Sequence, residues 1–275
     1  LYYRVADAGG GRATLKQLAP TLLRRLFDEN RQVLATPSSH LNTILSGGLY
    51  PGQLYILAGF PGAGTSTLAL QMVNQMAAEQ DTQCLFVGLQ RGVEEVFKRS
   101  LSYLGNLTAS EIDNKRLNPQ ELYEDKDFNR RIFAAYERYQ QFADNITIIE
   151  GAAAGSMSRI NQIIMEKREE QRNSAGRGGS FILVVDSLQL LVSTMRANWI
   201  ERAIEGENLA LRELARWDVE SLTSKLKAMA RELDITVLAT NELYSNSRAL
   251  TTDGGTIDPV IQELYHHCLL YTSDA

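Results

Sequence analysis

The residues best suited to chemistry form a run of glycines and hydroxyls, Gly59-Phe60-Pro61-Gly62-Ala63-Gly64-Thr65-Ser66-Thr67. The run fits the spacing G-x-x-x-x-G-K-[ST] at every fixed position except the lysine, where Thr65 stands. Glycines so spaced let a backbone wrap with its N–H groups inward, and a helix opening at the end of the run adds partial positive charge. The chemistry on offer is the binding of phosphate. Ser66 adds a hydroxyl of the kind that ligates Mg2+. A second such residue, Asp186, closes the apolar run Phe181-Ile182-Leu183-Val184-Val185. Parallel strands present their C-terminal ends to the edge where a phosphate loop lies, so a carboxylate there can hold Mg2+ directly or through water. The plainer readings are a glycine-rich turn opening some other helix and a carboxylate that caps the next one. The strand-loop-helix context of the first feature and its pairing with the second favour phosphate chemistry.

The elements that must position these residues are legible around them. Residues 53 to 89 read strand, glycine loop, helix, strand, in the segments QLYILA, GFPGAGTS, TLALQMVNQMAAEQ and QCLFVGL. That is a βαβ unit, with parallel strands joined by a right-handed crossover. Downstream the pattern predicts a helix over 93–104, a charged helical region over 119–142, a strand over 146–149 and a helix over 156–171. After a loop at 173–179, FILVVD is apolar almost throughout, the mark of a strand buried on both faces. A long helical segment over 197–233 and a buried strand over 235–240 complete the pattern. Strands alternating with helices predict an α/β fold, a doubly wound and mainly parallel sheet flanked by helices. Upstream, Leu15, Leu18, Leu22 and Leu26 recur every three or four positions and predict an amphipathic helix over 13–34, preceded by a glycine hinge at 9–11 and ended by Thr36-Pro37. A turn at 47–52 then delivers the chain into the sheet.

With 275 residues, 44% of them hydrophobic, the chain is long enough for one large α/β domain. Residues 1–35 read as an N-terminal linker and helix, and 36–267 as the nucleotide-binding domain. The last residues, Cys268 to Ala275, resemble a translated sequencing-adapter tail and are set aside as non-native; the alternative reading is a final strand, CLLYT. A formal charge of −5, from 28 basic and 33 acidic residues, gives no global attraction to DNA or an anionic membrane, so any nucleic-acid contact must come from a local patch or a ring of subunits. Cys84 and Cys268 have no metal-like spacing and fit a reducing, cytoplasmic setting. No run approaches the roughly 18 apolar residues of a membrane span, so no membrane partner is expected.

The segment from Thr36 to Leu89 resembles the opening of the motor domain of DnaB-like replicative helicases and related RecA-like ATPases. Asp186-Ser187-Leu188-Gln189-Leu190 resembles that family's D-Y-L-Q-L, with serine for tyrosine. Ser221 to Asn241 is similar to its helix and strand leading to a sensing motif, where Asn241-Glu242 replaces a typical Ser-Gln. The resemblance spans roughly residues 36 to 245 and is weakest between Gly105 and Gln171. It implies a RecA-like fold, ATP or ADP with Mg2+ as cofactors, single-stranded DNA as a partner and a homo-oligomeric ring. It also implies a sensing role for Gln189, Asn241 and Glu242. Where the family carries a water-activating glutamate after the second strand, this sequence has Gln90, which cannot take that proton. Arg99 matches an arginine common in the family's next helix, with a structural or a functional role equally open. The family's arginine finger and companion lysine would fall beyond residue 270.

Losing a charge-assisted phosphate contact costs roughly 1.5–3 kcal/mol, and losing a general base costs roughly 10²–10⁴ in rate. Backbone cradle, helix end and Mg2+ ligands remain, so the expectation is a nucleotide-binding domain of helicase ancestry with impaired hydrolysis. Two alternatives stay open. One is an active ATP-dependent helicase or translocase in which another cation, with Lys98 a candidate, stands in for the lysine. The other is a non-enzymatic regulatory or loading subunit, KaiC-like or recombinase-like. Arg196, Arg202, Arg212 and Arg216 would face a ring's channel, but Glu201, Glu205, Glu207 and Glu213 interleave with them, as on a solvated, salt-bridged helix.

Overall fold

The computed structural model describes residues 14–26, 32–89, 92–117, 124–151, 156–175, 179–204, 218–243 and 269–272. In chain order these hold α1 (Leu15–Leu26), α2 (Ser39–Ile44), β1 (Leu54–Gly59), α3 (Thr65–Glu79), β2 (Gln83–Gly88), α4 (Val93–Gly105), α5 (Ala109–Leu117) and α6 (Lys126–Gln140). They continue through a 3-10 turn (Ala143–Asn145), β3 (Ile146–Glu150), α7 (Met157–Ala175), β4 (Phe181–Asp186), α8 (Leu188–Ile204), α9 (Val219–Leu233), β5 (Thr236–Glu242) and β6 (Leu269–Thr272). The strands lie in the order β3-β2-β4-β5-β1-β6. β1 to β5 run parallel, and β6, from the tail set aside above, lies antiparallel along β1.

Alternation along the strands builds two apolar layers. Phe181, Leu183 and Val185 of β4 face the layer made by α7, α8 and α9, while Ile182 and Val184 face α3 and α4. Every residue of β4 is therefore buried, as a parallel strand covered on both faces requires. The order matters for function because β4 and β5 fall between β1 and β2, so their C-terminal ends lie between the end of β1 and the end of β2. Among the described residues, no helix is long and apolar enough to cross a membrane.

Several boundaries differ from the expectation. The helix predicted through Leu34 does not extend that far: Leu34 and Leu49 exchange both backbone hydrogen bonds at 2.8 Å in an isolated antiparallel bridge. Leu34 is buried in the apolar cluster that also holds Leu49, Leu57 and the inner face of α3, so an apolar residue stands there and its spacing mimics a helical stripe. The next residue is clamped to the end of α3, where the Gln80 side chain donates to Ala35 O and accepts from Ala35 N, both at 2.9 Å. α2, not anticipated, is a short helix capped by the Ser38 hydroxyl. The predicted 119–142 region resolves into α6, which starts after the Asp125 cap. α5 is absent from the sequence reading, although Thr108 and Glu111 form a reciprocal capping box (Thr108 N to Glu111 Oε2, 2.6 Å; Glu111 N to Thr108 Oγ1, 3.1 Å). Among the described residues the predicted 197–233 helix corresponds to the end of α8, which begins directly after β4, and to α9, which starts after the Asp218 cap; residues 205–217 lie outside the described residues. The glycine hinge at 9–11 lies outside the described residues.

Candidate nucleotide site

β1 ends at Gly59 and α3 opens at Thr65, so the phosphate-loop residues form the turn between them. Gly62 and Gly64 hold φ +85° and +88°, and a Cβ built on either meets nothing within 4 Å. Glycine is demanded there by backbone conformation, not by crowding, and the space above both residues is open. The turn is closed by Ala63 N donating to Phe60 O at 2.9 Å. No side chain caps the N-terminus of α3, so its first-turn N–H groups are left for an anion.

Asp186, 3% exposed, lies beside this turn. Its Oδ1 accepts hydrogen bonds from the Ser66 hydroxyl at 2.8 Å and the Thr240 hydroxyl at 2.6 Å. Ser66, Asp186 and the end of β5 thus meet at the C-terminal edge of the sheet. Thr240 escapes a reading of the sequence; its only signal is a hydroxyl directly after the apolar run Val237-Leu238-Ala239 of β5. This oxygen set suits Mg2+, a hard cation that keeps several waters and takes only one or two protein carboxylates beside substrate phosphates. Among the described residues no group of three or more His, Cys, Asp or Glu could hold a metal on its own.

Thr65, in the lysine position, is 9% exposed, and a hydroxyl there brings no positive charge. Register sets Ala58 opposite Asn241 and Gly59 opposite Glu242, bringing the expected sensors alongside the loop strand. Gln189 Nε2 donates to Glu242 O at 2.8 Å, while Gln189 Oε1 and Asn241 Oδ1 are buried without a partner among the described residues. Gln90 lies outside the described residues; the chain leading to it is fixed where Leu89 N donates to Asp186 O at 3.1 Å. Glu150, ending β3, accepts from Val93 N and so caps α4.

α4 carries two cations, of which one is tied to α5 and the other reaches the first turn of α3. Lys98 is bound by Glu95 at 2.7 Å and by both oxygens of Asp113 at 3.1 Å. Those bonds, Glu95 first, hold its ammonium above the ordinary lysine range. Burial pushes the Glu95 carboxyl up, but hydrogen bonds from Lys98 and Arg99 outweigh it and leave the group below its usual range. Arg99 donates from Nε to Glu95 at 2.7 Å and from Nη1 to the Thr67 hydroxyl at 3.3 Å.

Strand order, glycine turn and buried carboxylate together define a phosphate-loop domain of RecA-like topology. The chain belongs to the family of the DnaB-like helicase C terminal domain, whose pattern it matches over residues 34–253. It is similar to the replicative DNA helicase DnaB of Leifsonia xyli subsp. xyli, with 26% identity over 214 residues covering 72% of this chain and 36% of that protein. The corresponding helicase of Buchnera aphidicola is 23% identical over 244 residues, covering 83% of this chain and 45% of that one. The chain therefore spans less than half the length of these relatives. Among solved structures, a DnaB-like replicative helicase described with its interactions with primase superposes with TM-score 0.64 at 20% identity, covering 92% of this chain and 54% of that one. A second solved structure, of an ATPase domain, superposes with TM-score 0.59 at 19% identity, covering 93% of this chain and 79% of that one. At those identities the structural likeness concerns the fold.

Proposed function

We propose that this chain binds a Mg-nucleotide, ATP or ADP, at the 59–67 turn and hydrolyses ATP slowly. The observation that carries the reading is the shared Asp186 oxygen, which ties the opening of α3 and the end of β5 to one carboxylate beside an uncapped, glycine-built turn. Backbone donors in such a turn need no lysine to hold phosphate. Ser66 and Asp186 would hold Mg2+, which supplies neutralisation of phosphate charge when bound. Turnover is the weaker function because Thr65 neutralises no charge on the transferred group and Gln90 can orient water without accepting its proton.

The relatives named as DNA helicases support single-stranded DNA and a homo-oligomeric ring as further parts of this reading. Titration calorimetry with Mg-ATP and Mg-ADP, and phosphate release with and without single-stranded DNA, test it. Binding in the micromolar to millimolar range with turnover below about 1 s⁻¹, under the ordinary enzyme range, is expected. No binding at millimolar nucleotide would sink the proposal, and turnover at or above that rate would replace it with a working motor.

A further inference from the structure

Resting on the nucleotide reading above, the geometry points to Arg99 as the cation that faces the phosphates in place of the missing lysine. The turn offers backbone dipoles but no full positive charge, while a nucleotide brings several negative charges next to the buried Asp186 carboxylate. A cation must come from a neighbouring element, and among the described residues α4 brings one to the first turn of α3. Lys98 is committed, because two carboxylates hold it at 2.7 to 3.1 Å. Arg99 is held differently. Glu95 grips it at Nε, the stem side of the guanidinium, and Nη1 reaches the hydroxyl of Thr67, in the first turn of α3.

That arrangement fixes the arm and aims the fork end at the margin of the phosphate turn. At 3.3 Å the bond to Thr67 is a long one to a neutral acceptor, readily exchanged for a shorter, charge-assisted bond to a phosphate oxygen. Among the described residues Nη2 has no hydrogen-bond partner, so the fork retains donors for a phosphate. The side chain is 30% exposed, reachable by a ligand yet partly shielded from solvent. Thr65 leaves room for this assignment, since no lysine competes for the same oxygens.

The experiment is a cycle of Arg99→Ala, Arg99→Lys, Thr65→Lys and Thr65→Lys/Arg99→Ala in the full chain. Each variant is titrated calorimetrically with Mg-ATP and with Mg-tripolyphosphate, which has phosphates but no base or sugar. Arg99→Ala is expected to weaken both probes by about ten-fold or more, the loss of one charge-assisted contact. Arg99→Lys should restore much of it, and the loss on removing Arg99 should shrink to about three-fold or less in the Thr65→Lys background. Equal losses in both backgrounds, or a loss with ATP but not with tripolyphosphate, overturn the assignment. If Arg99→Ala fails to fold, Arg99→Gln, which keeps a polar side chain without the charge, against Thr65→Lys/Arg99→Gln decides the same question. A parent chain that binds neither probe overturns the nucleotide reading itself. A parent that binds both while Arg99→Ala binds equally well overturns this inference alone.

Discussion

A single oxygen, Asp186 Oδ1, receives two hydroxyl hydrogen bonds, and neither hydroxyl can be satisfied in the same way by a neutral side chain of different shape. Asp186→Asn keeps the size and an acceptor but loses the charge that a divalent cation needs. Calorimetry should show Mg-ATP affinity falling about ten-fold or more, while parent and variant bind free ATP alike in excess EDTA; an equal loss in EDTA would mean the residue acts on the fold, not the metal. On the proposed reading, turnover would depend on two further residues acting on one transition state, Thr65 on phosphate charge and Gln90 on the attacking water. Groups that act as a unit are strongly non-additive. Thr65→Lys and Gln90→Glu should each leave phosphate release near background, and the double variant should exceed either well beyond their product. Additive gains would mean the two positions work independently. Of these residues, the glycines, Ser66 and Asp186 were legible from spacing alone. Thr240 was not, because a threonine in a strand is ordinary by propensity and only the three-dimensional neighbour gives its hydroxyl a task.

Elements were legible where one face pattern dominated and obscure where tertiary pairing overrode it. FILVVD announced a strand buried on both sides. Leu34 continued a leucine spacing that belongs to α1, yet its backbone pairs with Leu49, a contact no local pattern encodes. That pairing depends on Gly48, at φ +145°, where a Cβ would come within 2.3 Å of Leu34 O. Gly48→Ala should therefore destabilise the chain by about 2 kcal/mol or more, combining backbone strain with the displaced bridge. Urea unfolding would read this as a lower midpoint at unchanged slope; an unchanged midpoint would show that the bridge adjusts freely. In α5 the sequence did carry a signal, Thr108-x-x-Glu111, and weak apolar periodicity hid it.

At the scale of the whole molecule, the five parallel strands were within reach of the sequence because each alternates with a helix, but their order was not, since a right-handed crossover fixes the hand of a connection and not which strands become neighbours. Nor was the placement of β6 beside β1, since an antiparallel edge strand obeys no such rule. The core between the layers also sets reactivity. Cys84 is buried, its thiol donating to Thr82 O at 3.4 Å, and burial pushes its pKa far above the ordinary thiol range. Thiolate, the reactive form, is withheld in the folded state. Iodoacetamide followed by peptide mass spectrometry should leave Cys84 unmodified in native buffer and modify it in denaturant; rapid native labelling would reveal local opening between α3 and β2. The clamp between Gln80 and Ala35 joins the segment that leads into α2 to the far end of α3. That helix is a strut of 15 residues, about 22 Å long at 1.5 Å per residue, with the phosphate turn at its other end. A pivot of that strut by about 5° at the turn would carry its far end about 2 Å, and because Gln80 holds Ala35 there, the segment around Ala35 would be displaced with it.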